Sequence, residues 1–579
     1  MNSQAEVKQS KIETAKQQGD YMRGRVAPTL HSDAAHFGKD DVHLLKFHGT
    51  YQQDDRDLRK ARFAGGLGRA YQFMVRLVLP AGILDAQQYL ALDEMAGRYG
   101  NGSLRITTRQ GFQFHGVLKG DLKPLIGDIH RQLLTTLGAC GDLERNVMAC
   151  PAPLDDEGHR VVQRLAGQIS RDLRPASRAY HEIWLNGEKV VSAKPEEPFY
   201  GKAYLPRKLK TGVALENDNC IDIFCCDIGL IAALEQGRVV GYHLIVGGGM
   251  GMTHNKPETV ARLADPMGFL GSSEDQAVEA VRTLAAIFRD CGNRVDRRQA
   301  RLKYLLEKWG MERLGEEFRK RTSVPLHPAR QLGRIPFHDH LGAHPQGDGR
   351  FYYGIYVDMG RIADRPGIRL RSALQEIVSE FLPGLRNTAH QNLLLTDLSR
   401  EALEQVEEIL RHHGVRPARE LPAARRYSMA CPALPTCGLA LGESERLLPR
   451  VLVQLEGELE RLGLREAPLT VRMTGCPNGC ARPYTADLAF VARSPSTYHI
   501  YLGGRLEGDR IADLYAADVR PDNFLSTLRP LLQHWADDRL EDESLGDFYQ
   551  RIQGHASARR RITGREKPTS ESLPMEVAL

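Results

Sequence analysis

A chain of 579 residues with 42% hydrophobic and 26% charged side chains can bury sizeable cores, and its length predicts several domains rather than one. A net charge of +5 is too small for this size to mark a nucleic-acid binder, although it allows a local basic pocket for an anion. The polar opening residues hold no apolar leader, no apolar run reaches the roughly 18 residues of a membrane helix, and ten cysteines are too sparse for a disulfide scaffold, so a cytoplasmic protein is expected.

In chain order, residues 1–40 are charged and poor in aromatics and read as mobile, within an N-terminal arm spanning 1–70. Apolar patterning predicts a strand over 72–80, a helix over 85–98, and strands over 103–118 around the turn Arg105-Ile-Thr-Thr-Arg-Gln110. Helices are expected near 159–173 and 275–290, with a strand at 239–246. The pattern then restarts, with a strand over 352–358, a helix over 370–381 and strands over 385–395. Helices near 443–462 and 523–535 accompany strands at 488–491 and 498–502, and 556–579 is a polar tail whose Arg559-Arg560-Arg561 reads as solvated.

The restart is an internal duplication. Arg105-Ile-Thr-Thr-Arg-Gln110 recurs 281 residues later as Arg386-Asn-Thr-Ala-His-Gln391, and Arg145-Asn-Val-Met-Ala-Cys-Pro-Ala returns at the same spacing as Arg426-Tyr-Ser-Met-Ala-Cys-Pro-Ala. Tyr242-His243 with Gly247-Gly248 matches Tyr498-His499 with Gly503-Gly504 at 256, and Thr211-Gly212 is matched to Thr474-Gly475 at 263. The expected class is α+β with a pseudo-two-fold axis and three mixed α/β domains. These are a paired-repeat domain from 71–138 plus 344–418, a first-copy domain at 139–343 and a second-copy domain at 419–555. Such an axis commonly places a ligand where the halves meet.

Cysteines gather in the second copy, as Cys431-Pro-Ala-Leu-Pro-Thr-Cys437 and Cys476-Pro-Asn-Gly-Cys480. Four thiolates in two close pairs suit either zinc or an iron–sulfur cluster. Two details favour the cluster: both gaps exceed the two residues common in zinc knuckles, and Gly475 and Gly479 leave backbone amides open to sulfur while Pro477 stiffens the turn. Cys140, Cys150, Cys220, Cys225, Cys226 and Cys291 read as buried thiols. Cys150 stands where the second copy has Cys431, without visible companions, so only one half is expected to carry metal.

Cys-x5-Cys followed by Thr474-Gly-Cys-Pro-Asn-Gly-Cys-Ala-Arg-Pro483 resembles the sulfite/nitrite reductase family. The resemblance extends from Phe47-His-Gly-Thr-Tyr-Gln-Gln-Asp-Asp-Arg56 through Arg145-Asn146 and Tyr204-Leu-Pro-Arg-Lys208 to Gly503-Gly504, closest to the haemoprotein subunits of assimilatory NADPH-dependent sulfite reductases. It implies a [4Fe–4S] cluster on Cys431, Cys437, Cys476 and Cys480, with Cys480 also the proximal ligand of a siroheme. The implied activity is the six-electron reduction of sulfite to sulfide in sulfate assimilation and cysteine biosynthesis; siroheme-dependent reduction of nitrite to ammonia is the alternative. Matching positions give Arg76, Arg145, Lys208 and Lys210 as the substrate shell. They give Arg105, Arg109, Gln113, His115, Arg207, Lys303, Gln391, Asn478 and Arg482 as siroheme contacts.

The residues themselves support parts of this. Arg76 interrupts an apolar strand, and Lys208 and Lys210 alternate around Leu209, facing one way if extended. Lys303 lies in a basic run that also reads as a solvated helix face, and His115 also reads as a hydrogen-bonded strand histidine. No strand opens into Gly-x-Gly-x-x-Gly; Gly247-Gly-Gly-Met-Gly251 has Met252 where the third glycine belongs and reads as a turn packed on backbone or cofactor. Electrons are therefore expected from a flavoprotein reductase within a hetero-oligomer, or from ferredoxin, received through the surface or the N-terminal segment. A structural zinc site in a basic nucleic-acid-binding protein is the contrasting class, disfavoured by the weak net charge and by a repeat that runs through every domain. Neither nucleic acid nor membrane is an expected partner.

Overall fold

The computed structural model describes residues 9–176 and 197–554, and the backbone of strands Glu182–Leu185, Glu188–Ser192 and Arg561–Thr563. Four five-stranded sheets form two matched pairs. In the first pair, Thr50–Asp54, Tyr71–Arg76, Phe112–Val117, Leu104–Ile106 and Arg361–Ile362 lie in that order. Their counterparts are Gly342–Pro345, Phe351–Ile355, Leu393–Leu398, Gly384–Asn387 and Ile83–Leu84. Each sheet thus ends on a strand donated by the other half.

The recurrent Arg-x-Thr-x-x-Gln turn makes that exchange possible. Thr107 Oγ1 accepts from Arg109 N (3.2 Å) and Gly111 N (3.0 Å), and Thr388 Oγ1 accepts from Asn392 N (3.0 Å), closing both turns. Gln110 and Gln391 sit at φ 60° and 67°. Gln110 Nε2 then ties three backbone segments together, donating to Ala81 O, Ala149 O and Asn387 O. The donated strands start beside Gly82 and Gly360, whose φ values of 77° and 76° favour glycine; a Cβ there would meet Asn387 O at 2.2 Å or Ile106 O at 2.6 Å.

Helix Ala86–Tyr99, started by a capping box of Asp85 and Gln88, and helix Leu370–Phe381 cover these sheets. Tyr89, Leu92 and Phe112 of one half share a core with Leu374, Ile377 and Leu395 of the other. The second pair of sheets runs Met148–Ala149, Thr211–Leu215, Ile228–Glu235, Arg238–Val246 and Asp265–Leu270. It is matched by Ser428–Ala430, Val471–Thr474, Leu488–Ala492, Tyr498–Leu502 and Asp513–Val519. Helices Glu157–Asp172 and Glu274–Cys291 cover the former, and Leu448–Arg461 and Phe524–Asp538 the latter.

The sheet registers correct one expected match. Thr211 stands opposite Ile228, and Val471 opposite Leu488; Met148 pairs with Gly212, and Met429 with Arg472. The counterpart of Thr211 is therefore Val471, and the Thr-Gly of 474–475 lies three residues off register. The helix expected from 443 starts at Leu448, because Pro449 has no N–H to give and fits only the first turn. Residues 10–40, expected to be mobile, are docked: Ser10 caps helix Lys11–Gln18, and buried Lys16 pairs with Glu13 and donates to Leu205 O at 2.8 Å. The tail 556–579 lies outside the described residues except for backbone Arg561–Thr563, which pairs with Val260–Arg262. Among the described residues no helix is long and apolar enough to cross a membrane.

Candidate active site

The four second-copy cysteines are presented by the ends of two adjacent parallel strands. Cys431 directly follows Ser428–Ala430, and Cys476 and Cys480 lie on the loop after Val471–Thr474. Cys431 and Cys476 are buried, Cys437 is half-buried and Cys480 is exposed. Backbone and side-chain amides point at the sulfurs: Gly475 N lies 3.3 Å from Cys431 Sγ, and Asn478 Nδ2 3.4 Å from Cys476 Sγ. Burial and the neighbouring sulfurs push the Cys476 thiol up to about 12 and Cys431 higher still, so a full set of thiolates here would need positive charge beside it. Arg56 fixes the first loop by donating to Cys437 O and Ala440 O, and Thr108 Oγ1 donates to Cys480 O.

Basic side chains gather around Lys210, which lies within electrostatic reach of Cys480. Lys208 and Lys210 flank fully buried Leu209, which bridges to Glu144, and both lysines are half-buried. This bears the expected alternation, although the segment is a single bridge and not a ladder strand. Among the described residues neither ammonium has a hydrogen-bond or ion-pair partner. Burial, then Arg207, Lys210, Arg301 and Arg145, hold Lys208 well below the ordinary ammonium range; burial, then Arg109 and Arg301, lower Lys210 to about 7. With the Gln113 amide turned so that its oxygen faces the guanidinium, Arg76, at the end of its strand, donates to it through Nη2 (2.5 Å) and Nε (3.0 Å), and it stands 6.0 Å from the Tyr51 ring. Arg145 donates to Gly141 O and Ala139 O. Arg207 is lowered to about 10, mainly by burial, with Asp142 at 3.7 Å.

Other candidates fall into two groups. Arg109, His115 and Gln391 each keep a buried polar atom without a protein partner (Nε, Nδ1 and Oε1). Arg105, Lys303 and Arg482 are instead enclosed by the protein. Arg105 binds Glu445, Met359 O and Ala430 O; Lys303 Nζ reaches Gly249 O, Gly251 O and Val260 O; Arg482 binds Asp222, Thr108 O and Ala389 O. The expected solvated helix face therefore does not describe Lys303, which is fully buried at the helix start. Asn478 faces the cysteines as described.

Sequence reasoning missed Tyr51, Lys46, Asp142 and the Arg301–Asp227 pair. Asp142 takes Arg297 bidentately at 2.7 and 2.9 Å, and Asp227 takes Arg301 at 2.7 and 3.0 Å. Their signal was weak because the partners come from segments 74 to 155 residues apart. It also missed the companions of Cys150. Buried Asp218, Cys220 and His340 surround it, and all four ligand atoms lie within 4.8 Å of one another.

Comparison with known proteins fits this geometry. A family model described as "Nitrite and sulphite reductase 4Fe-4S domain" matches residues 166–326, and one described as "Nitrite/Sulfite reductase ferredoxin-like half domain" matches 68–132 and 344–413. A "Sulfite reductase [ferredoxin]" of Synechococcus elongatus is 43% identical, covering 94% of this chain and 90% of the relative. The chain belongs to the nitrite and sulfite reductase family. Within that family, "Sulfite reductase [NADPH] hemoprotein beta-component" of Staphylococcus saprophyticus is 41% identical over 94% of this chain and 96% of its own, and that of Bacillus pumilus 43% over 94% and 95%. The structure of the Mycobacterium tuberculosis NirA protein superposes with a TM-score of 0.74 at 22% identity, covering 94% of this chain and 97% of that one, which shows a shared fold. The match at 68–132 and 344–413 follows the two halves of the duplicated sheet pair.

The residues present fit this family's cofactors, a siroheme and a [4Fe–4S] cluster. Four thiols with amide N–H groups aimed at sulfur suit the cluster, and two lysines without a partner among the described residues, with orphaned buried polar atoms on Arg109, His115 and Gln391, suit a polycarboxylate macrocycle and an anion.

Proposed function

We propose that the chain reduces sulfite to sulfide as the haemoprotein component of an assimilatory sulfite reductase. Sulfite, six electrons and seven protons give hydrosulfide and three waters. The carrying observation is the pair of half-buried lysines, Lys208 and Lys210, unpartnered among the described residues, the first facing the charge of Arg145 and the second that of Cys480. When bound, the siroheme and cluster supply the electrons and the iron at which sulfur is held.

This chain's own residues bind and protonate. Arg76 and Arg145 offer forked donors to sulfite oxygens, and their bonds to Gln113, Gly141 and Ala139 hold the forks in place. Lys208 and Lys210 provide compact charges, both lowered by burial and by neighbouring cations, and Lys210, at about 7, can hold or give a proton near neutrality. Arg109, Gln113, His115, Arg207, Gln391 and Asn478 line the macrocycle, while Arg105, Lys303 and Arg482 fix the walls behind them. Cys431, Cys437, Cys476 and Cys480 would hold the cluster, and Cys480 would also serve as a ligand to the siroheme iron.

Electrons come from a separate redox protein. Gly248 packs against backbone, where a Cβ would stand 2.3 Å from Phe224 O and Cys226 O, so its missing side chain is explained by packing rather than by a dinucleotide. A flavoprotein carrying NADPH electrons is the proposed donor, and ferredoxin is the alternative. The deciding assay measures kcat/KM for sulfite and nitrite with each donor. A strong sulfite preference with the NADPH flavoprotein supports the reading, and a strong nitrite preference overturns it.

A further inference from the structure

The duplication places a second soft-ligand site in the first copy. Cys431 follows the strand Ser428–Ala430, and Cys150 follows its equivalent, Met148–Ala149. Cys480 stands two residues before Arg482, and Cys220 two before Asp222; Arg482 and Asp222 share the same left-handed turn, at φ 50° and 51°. Two of the second-copy cysteines therefore have cysteine counterparts, and these counterparts also converge.

The first-copy group differs in size and in its remaining ligands. Cys150 Sγ lies 3.0 Å from Asp218 Oδ2 and 3.4 Å from His340 Nε2, and those two atoms are 2.9 Å apart. Cys220 completes the set, with all four ligand atoms within 4.8 Å and all four residues buried. Metal bonds of about 2.0–2.3 Å give tetrahedral edges of roughly 3.3–3.8 Å, so small side-chain rotations suffice for a single ion. Outer partners already orient the ligands: Asp218 Oδ1 accepts from Cys220 N (2.9 Å) and His338 N (3.3 Å), leaving Oδ2 inward, and His340 Nδ1 meets the Tyr352 hydroxyl at 3.3 Å.

We infer that Cys150, Asp218, Cys220 and His340 bind one structural zinc ion. Two sulfurs, one imidazole and one carboxylate form a borderline set that suits zinc, and both thiol protons leave on binding. The ion fastens residues 322–341, which form neither helix nor ladder strand apart from one bridge at His327, to the first-copy sheet. His340 takes φ 56° there, and its carbonyl abuts Gly354 so closely that a Cβ would stand 1.9 Å away.

The test is elemental analysis of the untagged holoenzyme from zinc-replete cells, with zinc K-edge absorption. The expected result is about one zinc per chain beyond the cofactor iron, with two sulfurs near 2.3 Å and two lighter ligands near 2.0 Å. Cys220→Ala should lower zinc at least tenfold while siroheme absorbance and iron stay unchanged, and Cys291→Ser should keep it. Zinc below about 0.1 per chain, a zinc spectrum without sulfur, retention in a Cys150→Ala/Cys220→Ala double variant, or a Cys150–Cys220 disulfide in the native protein would each overturn the inference. The absorption edge of the unmutated protein decides the matter even if the variants do not fold.

Discussion

Asp222 of the first copy holds Arg482 of the second, and the two residues occupy the same position in their respective copies. Equivalent residues that touch lie on the pseudo-two-fold axis. Arg472 also reaches the Asp222 carboxylate, at 3.0 Å, so one fully buried carboxylate serves two buried guanidiniums. Arg482 then extends to Thr108 O and Ala389 O, in the two recurrent turns.

Replacing Asp222 with Asn should therefore cost about 3–5 kcal/mol, because two buried cations lose their counter-charge. Arg472 and Arg482 depress the Asp222 carboxyl far below the usual range. A depressed carboxylate contributes its stability in full above about pH 4 and loses it only as pH falls through the lowered value. Thermal unfolding at pH 7 should show a marked loss in the variant, and the gap should close only in strong acid.

How far the sequence reached is clear at this axis. The Arg-x-Thr-x-x-Gln repeat was legible because its threonine and glutamine each do a local job twice. The Thr211–Thr474 match failed because a dipeptide carries no register, which the sheet hydrogen bonds alone set. The cluster cysteines were readable from two short spacings, whereas Cys150, Cys220 and His340 come together from three distant segments and left no spacing to read. Arg105 and Lys303 were reached through the resemblance alone, and only packing shows that their donors point into the protein.

Glu144 offers a stability test with the opposite pH sense. It is buried, accepts from Thr211 N (2.9 Å) and Oγ1 (3.0 Å), and burial raises it to about 7 despite Arg109. A carboxyl raised on folding is stabilising when protonated, so its contribution is lost as pH rises from about 4.5 to about 7. Glu144→Gln should flatten that slope and gain roughly 1–2 kcal/mol at pH 8 relative to the unmutated chain. Melting temperatures at pH 5 and pH 8 measure it, and an unchanged slope would contradict the assignment.

The paired glycine turns predict matched steric failures. A Cβ at Gly504 would stand 2.3 Å from Thr485 C and 2.4 Å from Ala486 O, and one at Gly248 2.3 Å from two carbonyl oxygens. Backbone atoms cannot swing aside, so Gly504→Ala and Gly248→Ala should each cost at least 1–3 kcal/mol. Gly68→Ala, which meets nothing within 4 Å, should stay within about 0.5 kcal/mol in the same melts.

Cys480 carries the cofactor prediction. Cys480→Ser should abolish both the siroheme visible bands and the acid-labile sulfide, because the reading gives this residue to both groups. Cys140→Ser, at a buried thiol outside the ligand set, should keep the sulfide. Retention of a normal visible spectrum in Cys480→Ser would remove the shared-ligand assignment.

On the proposed role of Lys208 at the anion site, sulfite binding is sensitive to pH. Burial and four neighbouring cations hold its ammonium well below the ordinary range, which favours the neutral amine before substrate arrives. An arriving dianion favours the charged form, and binding therefore takes up a proton. Sulfite affinity should fall as pH rises, by up to tenfold per pH unit where that single proton is taken up. Titrating visible absorbance with sulfite between pH 6.5 and 9 measures the slope. Lys208→Met should weaken affinity about tenfold to a hundredfold and flatten the dependence, because the proton has lost its acceptor. A variant that weakened affinity yet kept the slope would show that Lys208 supplies charge while another group takes the proton, with Lys210, at about 7, the next to test.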